Sequence, residues 1–536
     1  MIAISSAIWA SALLGCQNHD KSPTSGPQID ITQLAGPECI SPIAPHEAPF
    51  VTIELPVSDP DSWSLIEPDA PTYASGGVIV LDADGDSDFD IISFSQSQPH
   101  LFLNDGTGQF TEDNTRLPQL PDRLYNGGSA ADYDNDGDDD LYFSTSESAD
   151  VFLEHTPNGF LDRSNDIGIV QESGYSAAAA WADMDLDGDL DLLVSGYGDD
   201  IITSSNGEFE TAGPSHLYLN QGSYFQHQDA LPPSVSPEPF TFSASWLPLD
   251  QSPPLDVLLA NDLGPFVHGN LAYINNGSSW TDVSDSFGLN QKMFSMGLAI
   301  TDWDSDDIPD IILTNIGDPV FLGTESGQRV DLTQSIGLMG TEEQITSWGA
   351  LWLDVNNDAS EDLWLGYGPL PLNDSETGPP NPPNQPDRML LRQDTQLIDM
   401  AESWELDRRS NTRGGAMADF NGDGFVDMVR KPIDGPPELF MNQCNDHNWI
   451  SITLEDLTGN RNAIGSTLRL TTENHSQLRW ILAGGTSFVS SSPNTAYFGL
   501  KDDNQILELI IEWPDGTKSQ HANLKANHHV TIRRSD

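Results

Sequence analysis

Apolar residues in this chain fall in short runs cut off by glycine, asparagine and aspartate, with no stretch of helical period long enough to build an amphipathic helix. Small residues lead, as in YASGGVIVL, NGGSAA, SAAAAWA and RGGAMA. A β-rich run follows after an acidic loop, as in IISF, LYFS, LLVSG, VLLA, IILT and LWLG. A third apolar segment then ends near a turn (HLFLNDGTG, VFLEHTPNG, HLYLNQGS, LAYINNGSS), and the unit closes with an aromatic or aliphatic residue beside an acid (FTED, FLDRS, WTDVSDSFGL). Four strands per unit, punctuated by turn residues, is the pattern of a propeller blade. The small residues suit innermost strands crowded around an axis.

The acidic loops mark the units. They read DADGDSDFD (82 to 90), DYDNDGDDD (132 to 140), DMDLDGDLD (183 to 191), DWDSDDIPD (302 to 310), DVNNDASED (354 to 362) and DFNGDGFVD (419 to 427). A degenerate copy, PLDQSPPLD (248 to 256), fills the largest gap, so seven loops recur at intervals of about 50 to 65 residues. The expected fold is all-β, a seven-bladed β-propeller followed by a small C-terminal β-sandwich-like domain. The last unit lacks its closing strand after ELFMNQ, and FVTIEL (50 to 55) or SWSLIE (62 to 67) is expected to complete it.

Oxygen side chains stand at positions 1, 3, 5 and 9 of every intact loop, and three loops have glycine at position 6. An offer of oxygens alone selects a hard cation, and flexible carboxylates suit Ca²⁺ better than Mg²⁺. The expected ligands are Asp82, Asp84, Asp86, Asp88 and Asp90; Asp132, Asp134, Asp136, Asp138 and Asp140; and Asp183, Asp185, Asp187, Asp189 and Asp191. Further along they are Asp302, Asp304, Asp306 and Asp310; Asp354, Asn356, Asp358 and Asp362; and Asp419, Asn421, Asp423 and Asp427, for about six Ca²⁺ sites. At position 7, as at Asp138, the backbone carbonyl is the expected donor, and Asp139 is left pointing outward. An EF-hand would need an acid at position 12, where Ser93, Phe143, Val194, Leu313, Leu365 and Arg430 stand instead. Structural turns are the competing reading, and they are preferred for 248 to 256.

Composition narrows the partners. With 83 acidic and 21 basic residues the formal charge is −62, which excludes nucleic acid, while 37% hydrophobic residues exclude global disorder. The intact loops hold only part of the acid, so the remainder is read as a solvated surface. No HExxH, GxSxG or Cys/His constellation points to catalysis, so the chain is not read as an enzyme.

The start, MIAISSAIWASALLGC, is an apolar run too short to span a bilayer. It resembles a bacterial lipoprotein signal without its basic n-region, which makes Cys16 the lipidated residue; an ordinary cleaved secretory signal is the alternative. Both export the protein, and membrane attachment would be through the lipid alone. The remaining Cys39 and Cys444 read as a disulfide or as two free thiols.

The loops, closed by the position 9 aspartate just before a strand, resemble the FG-GAP or VCBS repeats of integrin α-subunit propellers. In the C-terminal segment NRNAIGS (460 to 466), GGTSFVSSS (484 to 492), FGL (498 to 500) and WPDG (513 to 516) look like elements of the ASPIC/UnbV domain. The combination resembles the cartilage acidic protein family, which implies extracellular, calcium-binding, adhesion-like roles. The expected organisation is a signal over 1–16, a polar linker over 17–48, the propeller over 49–445 and the ASPIC/UnbV domain over 446–536. The expected function is recognition of a protein or polysaccharide at the cell surface or outer membrane; a polysaccharide-active enzyme or a ligand-free coat component are the alternatives. Arg461, Trp513 and Asp515 read either as a ligand site or as packing and turn geometry.

Overall fold

The computed structural model describes residues 27–44, 47–63, 75–95, 97–169, 174–198, 212–228, 231, 238–277, 279–339, 345–370 and 385–535. The signal with Cys16 lies outside them. Seven antiparallel four-stranded blades occupy 78–112, 124–162, 174–228, 240–282, 298–331, 347–399 and 412–442, the last completed from the N-terminal side. Phe50–Glu54 supplies that fourth strand, pairing Phe50 with Asn442 and Glu54 with Glu438. The ring is therefore closed by main-chain hydrogen bonds, without an open edge. Blades two and three are also joined through Gly174 and Tyr175, which pair with Ser148 and Ser146.

Blade strands are buried on both faces because each blade packs on two neighbours. Ile79, Leu81 and Ile92 of the first blade meet Tyr125, Leu141 and Phe143 of the second. Trp303 and Phe321 of the fifth pack against Trp352 of the sixth. These apolar seams replace a single central core, and the axis remains to be filled.

The C-terminal domain is a sandwich of two four-stranded sheets. One of them contains a strand expected as polar linker. Gln28–Ala35 pairs along its whole length with His528–Ser535. The linker expectation over 17–48 is corrected there: only Ile29 packs on the sandwich core, while Ile31 and Leu34 are exposed, so the strand is held at a sheet edge mainly by backbone hydrogen bonds. Cys39 and Cys444 are joined by a disulfide just before the closing strand.

The sandwich sends the segment 483–492 into the propeller axis. Ala483–Gly484 pairs with Trp181 and Ala180 of blade three. Ser487 bridges Leu298 of blade five, the Gly128 amide of blade two donates to the Val489 carbonyl, and Ser491 bridges Ile79 of blade one. Phe488 is fully buried between Phe242 and Trp348 of blades four and six. A Cβ on Gly127 would collide with the Val489 carbonyl, and one on Gly414 with the Ser490 hydroxyl. Glycine leads these inner strands because another backbone passes against them.

Truncating the tip of this plug should be costly. Phe488→Ala is expected to destabilise by about 3 to 5 kcal/mol through the cavity it leaves. Denaturant unfolding checks this, and a loss below about 1 kcal/mol would show that the segment does not sit in the axis.

Candidate metal centres on the aspartate-loop face

The six intact loops share one backbone shape. Position 4 is left-handed in every copy (Gly85, Asn135, Leu186, Ser305, Asn357 and Gly422), and so is position 6 (Ser87, Gly137, Gly188, Asp307, Ala359 and Gly424). Two left-handed residues so close together curl the chain tightly and turn the carboxylates of positions 1, 3 and 5 inward. The position 1 carboxylate then accepts amides from positions 5 and 6: Asp132 from Asp136 and Gly137 at 3.0 and 2.8 Å, and Asp354 from Asp358 and Ala359 at 2.9 and 2.8 Å. The position 5 carboxylate accepts the position 7 amide, as Asp187 does from Asp189 at 3.0 Å.

In three loops, carboxylate oxygens of positions 1, 3 and 5 lie within 4.8 Å of one another: Asp82, Asp84 and Asp86; Asp132, Asp134 and Asp136; Asp302, Asp304 and Asp306. In the third loop the matching group is Asp183, Asp185 and Asp191. Loops 354–362 and 419–427 place Asn356 and Asn421 at position 3, each donating to the position 5 aspartate. The side chains of Asp88, Asp138 and Asp189 are outside the triads.

Position 9 has a second task that its spacing alone does not reveal. One oxygen accepts the position 2 amide and the other accepts an amide of the third strand. Asp90 binds Ala83 and Asn104, Asp191 binds Met184 and Asn220, and Asp427 binds Phe420 and Asn442, all at 2.6 to 2.9 Å. Asp256 of the degenerate loop makes the equivalent crosslink one residue along, accepting the position 3 amide of Asp250 and the third-strand amide of Asn275. Asp310 departs: its Oδ2 accepts from Trp303, but its buried Oδ1 has no hydrogen-bond partner among the described residues. That oxygen lies on the third-strand side against Gly323, outside the triad of Asp302, Asp304 and Asp306. In the first loop, by contrast, the triad oxygen Asp84 Oδ1 is itself buried without a hydrogen-bond partner among the described residues, which fits a site completed by a cation.

Burial, followed by neighbouring carboxylates, raises these groups. Asp132 and Asp183 rise to about 7, and Asp90, Asp191 and Asp419 to about 8. Asp140, Asp354, Asp362 and Asp427 are pushed well up for the same cause.

The sandwich docks on this face. Asn462 accepts the Asp132 amide and donates to Asp139, which therefore faces the second domain rather than solvent. The Arg461 amide donates to Asn135, and Arg461 Nε lies 3.9 Å from Asp132. Arg469 pairs with Asp307 and Arg479 with Glu361. Trp449 covers Gly424, and the Lys501 amide donates to Asn357. Arg461, Trp513 and Asp515 are not brought together as one site: Trp513 is buried against Arg534, which binds Asp515.

Comparison with known proteins agrees with this division. The FG-GAP-like repeat model matches residues 82–143 and 132–194, and the ASPIC and UnbV model matches 456–536. The chain contains FG-GAP-like repeats and an ASPIC and UnbV domain. It is homologous to cartilage acidic protein 1, being 24% identical to the mouse protein over 486 residues, with 84% of this chain and 73% of the relative covered. The human protein is likewise 24% identical, with 84% and 71% covered. Among solved structures, YCF48 bound to D1 peptide superposes with a TM-score of 0.42 at 12% identity, covering 77% of this chain and all of that one.

Two predictions separate the loop's roles. Asp256→Ala should destabilise by about 2 kcal/mol whether or not chelator is present, because it removes a strand crosslink. Asp134→Ala should lower the thermal midpoint only when divalent cation is supplied; equal responses of the two variants would refute the division. Because folded-state carboxyls at about 7 to 8 lie above their unfolded value of 3.8, the cation-free fold binds extra protons across that window. Its stability should fall as pH rises from about 4 to about 8, and saturating divalent cation should flatten the slope. Thermal melts in chelator across that range provide the check.

Proposed function

We propose that the protein is an exported, calcium-stabilised recognition module that binds a protein or polysaccharide at the cell surface without catalysing a reaction. The observation that carries the reading is the docking of the second domain on a face crowded with carboxylates, with a buried oxygen of the triad residue Asp84 left unpaired among the described residues. Calcium would be held by positions 1, 3 and 5 of the intact loops, with position 9 contributing where its oxygen reaches the triad. When bound, it supplies the charge that cancels repulsion between these carboxylates. The described residues contain no helix long and apolar enough to cross a membrane. Attachment in this reading is through lipid on Cys16, on the resemblance of 1–16 to a lipoprotein signal. Similarity to cartilage acidic protein 1 supports an extracellular setting.

The filled axis favours binding on outer surfaces over the central channel, where many propellers take ligands. The Asp-loop face is largely covered, which leaves the opposite rim and the domain boundary. Phe266 on that rim is 65% exposed and stacks edge-on against Phe294.

Chelation should lower the thermal midpoint and added calcium restore it, by about 2.7 kcal/mol for each site held at a hundredfold excess over its dissociation constant. The matching functional test is capture of a cell-surface component by the full chain, expected in calcium and lost in chelator. An unchanged midpoint in chelator overturns the calcium reading, and absence of any captured component overturns recognition.

A further inference from the structure

The loop at 248–256 keeps its place in the ring and loses its cation chemistry twice over. Pro248 removes the position 1 carboxylate, and Pro253 at position 6 removes the amide that this carboxylate accepts in the other loops. Opposite this loop the sandwich leaves a cleft of about 350 Å³, bounded on the propeller side by Pro248, Gln251, Ser252 and Pro253 with Asp183 and Asp307 of the neighbouring loops. The far wall is the outer face of one sandwich sheet. Across its four strands Trp480, Thr467, Glu512 and Lys518 stand in register, and the next row on the same face carries Leu478, Arg469 and Ile510.

Charges on this wall are already matched. Arg469 pairs with Asp307, and Lys518 with Glu512 at 2.7 Å. No cation is left to hold an anion, and the strongly negative chain repels one. Trp480 and Thr467 are half-buried and both line the cleft, and neither the indole N–H nor the hydroxyl is buried without a partner. An aromatic face and proline rings beside hydroxyl, amide and N–H groups suit a ligand with one apolar C–H face and a rim of hydroxyls.

We propose that this cleft binds a neutral saccharide of one or two rings, with Trp480 as the stacking platform and Thr467, Gln251 and Glu512 addressing its hydroxyls. The volume lies at the lower end of small-molecule sites, which limits the ligand to that size. The proposal rests on the recognition reading and names a ligand class and place for it.

The test applies the full chain in calcium to immobilised methyl hexosides and neutral disaccharides, followed by calorimetric titration of the best binder. Trp480→Ala should weaken binding at least about tenfold, as loss of a central aromatic anchor does. Ser252→Trp, at an exposed position of the propeller loop, should block the cleft from the other wall without touching the sandwich. Binding that survives both variants, or no binding to any neutral saccharide, overturns the proposal. Capture of a cell-surface component that persists in both variants would sink the cleft assignment while leaving the recognition reading standing. Loss of capture in both, with unchanged thermal midpoints, supports the cleft.

Discussion

A ring of seven blades lined by glycine, alanine and serine leaves an axis that its own inner strands cannot fill. The structure answers with 483–492, whose backbone pairs with blade after blade and whose Phe488 closes an aromatic cluster with Phe242 and Trp348. Small residues are then a requirement of close backbone approach, and larger ones on the same strands would expel the segment. The two domains consequently cannot separate without emptying the axis. The N-terminal segment crosses the boundary as well, giving Gln28–Ala35 to the sandwich and Phe50–Glu54 to the last blade. The Cys39–Cys444 disulfide sits between those two commitments.

That arrangement concentrates an electrostatic problem. The plug enters from the face where the aspartate loops emerge, so the sandwich must lie over them. Arg461, Arg469 and Arg479 each meet one loop, which is far less positive charge than the loops carry negative. Desolvating those carboxylates beneath a second domain raises them toward neutral pH, at a cost to the fold. A bound hard cation offsets both burial and repulsion at the place where the domains join. Calcium on this face would thus govern domain coupling as well as the stability of single blades.

Much of this was legible in the sequence because repetition is visible. Seven loops, four apolar runs per unit and a missing last strand led to the blade count and to closure by an N-terminal strand, FVTIEL or SWSLIE, of which Phe50–Glu54 is the one that pairs. Other elements left no periodic trace. GGTSFVSSS is short, polar and glycine-rich, and nothing in its pattern says that it lies in an axis formed several hundred residues earlier. Gln28–Ala35 escaped because an edge strand held by backbone pairing needs little apolar alternation. Position 9 was legible as an oxygen ligand, but the paired amides it accepts depend on the third strand, which loop spacing does not register. Asp139 looked surplus until Asn462, over three hundred residues away, met it.

The degenerate loop separates two functions that coincide in the other six. It retains Asp256 with both amide partners, so the crosslink from loop to third strand survives. It retains a left-handed residue at position 4, Gln251, so part of the curl survives too. What it discards are the carboxylates of positions 1 and 5, replaced by Pro248 and Ser252, two of the three that form the acidic triad elsewhere, together with the position 6 amide that holds the first of them. A blade can therefore be built without the cation, and the acidic triads of the other blades are not needed for strand geometry. Their carboxylates are explained by charge that must be matched at the docked face. At blade four the sandwich touches the ring through Gly516 at Pro253 and Gly465 at Leu255, and beside those contacts a cleft separates Pro248, Gln251 and Ser252 from Trp480.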